Sequence, residues 1–334
     1  MVRRRTDMGM LRPEELVRQI QECPIVYVPS GIYEWHDEQN PLGTDTLKVV
    51  EMCRRAATRT GGLVHMPSYI GVGAFFNSMS GMKNGGLNFS EKLVRSYLTE
   101  LMEQLEKMGF ELIVLLYGHT NTENINAHQQ ASDDFMRRQD THAKVLCVND
   151  AEPVVRHRYK VADHAAKWET SFMMATHPDC VGMESIPADH GVWHGLDPRV
   201  HASATEGDRM YELIATAVSD LVHAALVSSR EQLLEGSFTQ SRECWKTCQN
   251  VRDLQEDYWR GDEKWEDPSC YFCIWRSPGL ITALAGLKGA DWTNRRIVHW
   301  DSCCKCFTGR IGRAWEEIKK EAASLAEPHL ARDG

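Results

Sequence analysis

Leu112-Ile113-Val114-Leu115-Leu116 is an unbroken aliphatic run without an alternating polar face. Such a run reads as a strand buried on both faces, the kind found inside a parallel sheet. The residues before it predict a helix over 90–108. Leu93, Val94, Tyr97, Leu98, Leu101, Met102 and Leu105 recur there at three- and four-residue spacing, with Ser90 placed to cap the start and Gly109 to end it. A helix running through one short turn into a doubly buried strand is half of a β-α-β unit.

Working outward, the same alternation continues. Residues 25–28 and 145–148 read as strands, and 62–65 as a short strand candidate. Helices are predicted over 46–58, 125–138, 162–176 and 204–227, the first with Leu47, Val50, Met52 and Cys53 toward a core. This order predicts a three-layer α/β/α fold with a mostly parallel sheet. Ligands of such folds bind beyond the carboxyl ends of the strands.

The chain has 334 residues, enough for a large core and an addition, and a net charge of −9, which lacks the basic field of a nucleic-acid binder. No apolar run reads as a membrane span, and the basic start at Arg3-Arg4-Arg5 lacks the apolar stretch of a secretory signal. A cytoplasmic setting is expected, with the eleven cysteines as thiols. Seven of these, Cys244, Cys248, Cys270, Cys273, Cys303, Cys304 and Cys306, share the C-terminal stretch with six tryptophans between 245 and 300. That shift divides the chain into a domain over 1–230 and a Cys/Trp-rich extension over 231–334. Paired thiolates of this kind suit a structural zinc site, and free thiols packed with the tryptophans are the alternative. The helix read over 311–325 could be an assembly surface.

Candidate chemistry sits at strand ends. Glu34 and His36 follow the first strand two residues apart, so in extended chain they point to one side. The turn Asn40-Pro41-Leu42-Gly43 then leads to Asp45. Two carboxylates and an imidazole outline a divalent metal site. The alternative is that Asp45 only caps the next helix and that Glu34 and His36 are exposed loop residues. Gly118-His119 follows the buried strand and can aim an imidazole into the same cleft, or it is part of a helix-entry turn. Asp163-His164-Ala165-Ala166-Lys167-Trp168-Glu169-Thr170-Ser171 adds a further imidazole and carboxylate. If both lay on one helix, His164 and Glu169 would not share a face. They could line one cleft if the helix begins near them.

These segments, in this order, resemble the creatininase family of metal-dependent amidohydrolases. The resemblance rests on Glu34-Trp35-His36, Pro41-Leu42-Gly43-Thr44-Asp45, Gly118-His119, the segment 164–171, and Gly195-Leu196-Asp197-Pro198 with Thr205-Glu206-Gly207. It implies metal ligands at Glu34, His36, Asp45 and His119, with Asp45 bridging two ions, and Zn, Mn or Fe as the metal. Glu169 is a candidate further ligand or the catalytic carboxylate, and His164 the second candidate for moving a proton. There are departures. Tyr117 replaces an Asn, Asn121 stands where creatininase has a ligating Glu, and the family's pocket-lining His is missing from the stretch 70–86. Either one or two ions are therefore expected, with Glu123 as a possible substitute ligand, and creatinine itself is a doubtful substrate.

With the resemblance, the reading is a creatininase-like hydrolase that opens a cyclic polar small molecule by attack of metal-bound hydroxide on a carbonyl. An alternative implied by the resemblance is carbon–carbon cleavage of a cyclic diketo-inositol, of the 3-dehydro-scyllo-inosose type. A rival from another class is a non-catalytic metal-containing scaffold protein. Trp168, Trp193, His194, Asn77 and Lys83 are candidate pocket residues, Trp168 being equally readable as core. A small molecule is the expected partner, with no nucleic acid and no membrane. The resemblance also implies a homo-oligomer, a hexamer.

Overall fold

A computed structural model describes residues 6–73, 86–120, 122–151, 153, 163–188, 190 and 195–234. Four parallel strands form its sheet: β1 (Ile25–Ser30), β2 (Leu63–Val64), β3 (Leu112–Tyr117) and β4 (Lys144–Asn149), in the order β2-β1-β3-β4. Every residue of β1 and β3 is buried, as expected for interior strands flanked on both faces.

Alternate residues of those strands feed two cores. Ile25, Tyr27, Leu112, Val114 and Leu116 face α2 (Thr44–Thr60), α5 (Lys167–Thr176) and α7 (Ala204–Val227). Val26, Val28, Ile113, Leu115 and Tyr117 face α1 (Pro13–Glu22), α3 (Glu91–Lys107) and α4 (Thr122–Arg137). The result is the three-layer α/β/α arrangement. A single turn, α6 (Pro198–His201), precedes α7.

Helix α3 starts as read, with Ser90 Oγ accepting from the Leu93 amide, and ends before Gly109, whose φ is +103°. Two starts differ from expectation. Helix α2 begins at Thr44 with Gly43 in the capping position, so Asp45 lies inside the first turn and does not cap it. Helix α5 begins at Lys167 rather than at 162. Ala165, at φ +53°, breaks the helical path, and Asp163 accepts from the Trp168 and Glu169 amides.

Helix α7 also departs from expectation, being long and apolar enough by length and composition to cross a membrane. Its inner face is spent in the core against α2 and α5. Gly207 lets its first turn pass directly over the Ser171 carbonyl of α5, where any side chain would collide. The described cysteines, Cys23, Cys53, Cys147 and Cys180, are free thiols. The extension's seven cysteines and the helix read at 311–325 lie outside the described residues.

Candidate metal centre

The strands β1, β3 and β4 end in one row, with Ser30 paired to Tyr117 and Tyr117 to Asn149. The chain leaves each end into the same space. From β1 come Glu34 and His36, from β3 His119, and from β4 Asp150. Helix α2 supplies Asp45 and Lys48 one turn apart. The segment entering α5 supplies His164 and Glu169. Glu34, His36, Asp45, Lys48, His119, Asp150, His164 and Glu169 are all buried.

Two glycines allow this convergence. A Cβ on Gly31 or Gly118 would overlap the first turn of α2, at Thr46 and at the Asp45 carbonyl oxygen respectively. With no side chain there, α2 lies against the ends of β1 and β3.

Asp45 is the hub. Its Oδ2 lies 3.1 Å from His119 Nδ1, which is 3.0 Å from Glu34 Oε2. Its Oδ1 lies 3.5 Å from His36 Nε2, which is 3.4 Å from Glu169 Oε2. Two trios of donor atoms thus share Asp45: Glu34/Asp45/His119 and His36/Asp45/Glu169. A third is Glu34/His36/His164, and within each trio the atoms lie inside 4.8 Å of one another.

Both ligand-type imidazoles are oriented by backbone. His36 Nδ1 donates to the Glu34 carbonyl at 3.0 Å, which leaves Nε2 toward the centre. His119 Nε2 donates to the Gly73 carbonyl at 3.3 Å, which leaves Nδ1 inward. His36 Nε2 is buried, has no hydrogen-bond partner, and faces two carboxylate oxygens. Separations of 3.4 and 3.5 Å suit neighbouring ligand atoms around a small divalent ion with bonds of about 2.0–2.2 Å. The donor set, carboxylate oxygen with imidazole nitrogen, fits Zn or Mn.

Charge is concentrated here. Burial opposes protonation of His119, but Glu34 and Asp45 outweigh it and push the imidazole up to about 10. His36 is likewise raised well above its usual range by Glu169 and Asp45, against burial. Burial disfavours ionised Asp45, yet Lys48 and His36 hold it well below the carboxylate range. Lys48 Nζ bonds Glu169 Oε1 at 2.5 Å, Asp150 Oδ2 at 3.0 Å and Asp45 Oδ1 at 3.1 Å. Glu169 Oε2 also accepts from the Ala165 amide at 2.7 Å.

The structure brings together Glu34, His36, Asp45, His119, His164 and Glu169. Because α5 starts late, His164 sits in the preceding turn, its ring 4.6 Å from that of His36. Glu123 is exposed on α4, away from the trios. Trp168 is buried in the core beside Phe172 and Tyr211, with the Lys167 ammonium 4.1 Å over its ring, so it packs rather than lining the cleft. Asn77, Lys83, Asn121, Trp193 and His194 lie outside the described residues. Sequence reading missed Lys48 and Asp150. It also missed Gln39 and Asn40, which bond the Ala165 carbonyl at 2.6 Å and Thr170 Oγ1 at 2.9 Å and so tie the Glu34 loop to α5.

Comparison with known proteins agrees with this architecture. The family model for creatininase, described as creatinine amidohydrolase, matches residues 10–222, more than half of the chain. The chain belongs to the creatininase family. Among curated proteins, it is 28% identical over 188 residues to the creatinine amidohydrolase of Pseudomonas putida, covering 50% of this chain and 69% of that one. It is 26% identical over 106 residues to the 3-dehydro-scyllo-inosose hydrolase of Thermotoga maritima, covering 32% of this chain and only 33% of that relative. Both relatives are hydrolases by name. A solved creatinine amidohydrolase superposes with a TM-score of 0.54 at 21% identity, covering 68% of this chain and 100% of that one. A structure described as "Creatininase Mn" gives 0.53 at 20% identity, covering 67% and 100%. At these identities the superpositions speak for the fold.

Proposed function

We propose that this chain is a metal-dependent hydrolase that opens a cyclic, polar small molecule at a carbonyl. The observation that carries the reading is the pair of buried donor trios that share Asp45, Glu34/Asp45/His119 on one of its oxygens and His36/Asp45/Glu169 on the other. Family membership and the hydrolase names of the relatives support it. Solved creatininases described with Mn or as "Zn-Zn type" support the choice of metal.

In this reading Glu34, Asp45 and His119 hold one divalent ion, and His36, Asp45 and Glu169 form an adjoining position. A divalent ion there supplies Lewis acidity, polarising a carbonyl and lowering the pKa of water toward about 7. Glu169 holds the geometry. Its two oxygens already engage Lys48 and the Ala165 amide, and Lys48 and His36 keep it ionised against the effect of burial. His164 is the better group to move a proton to the leaving atom. Burial and the neighbouring His36 hold its imidazole below its usual range, and it lies in a trio with Glu34 and His36. The second reading is the carbon–carbon cleavage of a cyclic diketo-inositol that the resemblance implies, and the name of the Thermotoga relative, a 3-dehydro-scyllo-inosose hydrolase, supports it. We propose further a homo-oligomer in a reducing, cytoplasmic setting.

The test is hydrolysis of a panel of cyclic amides and cyclic diketones by the wild type and by His119→Ala, with metal content measured on the same samples. Wild-type turnover that disappears with the metal in a folded His119→Ala variant supports the enzyme, and the panel separates C–N from C–C cleavage. A wild type that turns over nothing and unfolds when its metal is stripped would leave the scaffold reading in its place, and one that carries no metal would overturn the metal-dependent enzyme.

A further inference from the structure

Among the described residues of the centre, Lys48 is a cationic side chain that neither metal chemistry nor the family resemblance calls for. It lies one turn beyond Asp45 on the inner side of α2, and its side chain is 5% exposed. Its three partners are the carboxylates of Asp45, Glu169 and Asp150. Glu34 and His119 are not among these ion-pair partners. A buried ammonium persists only where carboxylates compensate its lost hydration, and here three do.

The position of the ammonium divides the two trios that share Asp45. On the Glu34/His119 side, Asp45 offers Oδ2 to His119, while its close approach to Lys48 is made by Oδ1. On the His36 side, Asp45 offers Oδ1 and the partner carboxylate is Glu169, and both bond Lys48 Nζ. A divalent ion in the second trio would share Asp45 Oδ1 with a fixed positive charge and bind the Glu169 carboxylate whose other oxygen, Oε1, already holds that charge, in a buried place where water and salt screen little.

We infer that Lys48 sets the metal occupancy of the centre. Glu34/Asp45/His119 is the tight divalent site. The Lys48 ammonium acts as the second cation, and His36/Asp45/Glu169 fills only weakly. The inference rests on the metal-centre reading above. Lys48 here is a positioning residue, acting on ions through the carboxylates it holds.

The test is Mn and Zn stoichiometry of the full chain by equilibrium dialysis and elemental analysis, for the wild type, Lys48→Met, Lys48→Arg, Glu169→Gln and His119→Ala, with folding followed by circular dichroism. The wild type is expected to hold one ion tightly and a second only at roughly 100-fold higher free metal. Lys48→Met should hold two ions tightly, and Lys48→Arg one. Glu169→Gln should keep the tight ion, and His119→Ala should lose it. Two ions of equal affinity in the wild type, or a folded Lys48→Met with one ion, would overturn the inference while leaving the metal centre standing. If Lys48→Met does not fold, Glu169→Gln decides, because loss of its tight ion overturns the assignment. A wild type that takes up no ion at either concentration sinks the metal reading and this inference together.

Discussion

The carbonyl oxygen of Asp45 lies where a side chain on Gly118 would have to begin. That contact sets the first turn of α2 against the end of β3 and so fixes the distance between Asp45 and His119. Gly118→Ala must push the two apart. The expected cost is on the order of 1–3 kcal/mol of stability, with loss of the tight metal ion. Urea unfolding midpoints and metal content on the same preparation check it. A variant with unchanged midpoint and unchanged metal would mean that α2 can shift without consequence.

The pH dependence of the ion-free protein should report His119. Its imidazole titrates near 10 in the fold and near its ordinary value when unfolded. The folded state therefore binds the proton more tightly. Its contribution to stability is full below about pH 6.5 and is lost as pH rises through about 10. Chelator-treated protein should weaken across that window, and ion-loaded protein should bind metal more tightly across it as protons leave the ligands. A flat unfolding profile for the chelated wild type, matching that of His119→Ala, would contradict this.

His128 should show the opposite trend. It is buried, accepts a hydrogen bond at Nε2 from Ser30 Oγ over 2.8 Å, and donates from Nδ1 to the Asn124 carbonyl at 2.7 Å. Burial holds it down to about 4. Its contribution is complete above about pH 6.5 and is lost as pH falls toward about 4. Replacing it with Asn should flatten the acid limb of the stability curve. An acid limb identical in wild type and His128→Asn would show that carboxylates alone produce it.

Asn124 links two loops that frame the centre. Its Oδ1 accepts from the Val72 amide at 3.1 Å and its Nδ2 donates to the His119 carbonyl at 2.8 Å. Asn124→Ala leaves both backbone groups without this partner. About 1–3 kcal/mol of stability should go, together with roughly 10–100-fold in metal affinity. Thermal melts and a metal titration measure the two losses. Wild-type metal affinity in the variant would show that His119 is held by β3 alone.

Much of this was legible in the sequence, for identifiable reasons. Residues 112–116 read as a doubly buried strand because the aliphatic run is short and follows directly on a helix closed by Gly109. Glu34, His36 and His119 were found because strand ends are where α/β folds place chemistry. The two misplaced helix starts have local causes. Gly43 caps α2 without a side chain to mark it, and Asp163 draws the start of α5 forward by accepting amides that the pattern assigned to helix interior. Lys48 was illegible, because a lysine in an amphipathic helix ordinarily faces water. What buries it is three carboxylates, two of them from other parts of the chain. Asp150 could have been found by the strand-end argument that found His119.

Strands β1 and β3 are apolar on both faces, so hydrophobicity alone would tolerate sliding one past the other by a residue. The Ser30–Tyr117–Asn149 row forbids it, because a slip of one residue would carry His119 away from Asp45 and Asp150 away from Lys48. The polar cluster at the strand ends thus acts as the sheet's alignment key, a role it would keep in a relative that had lost all activity.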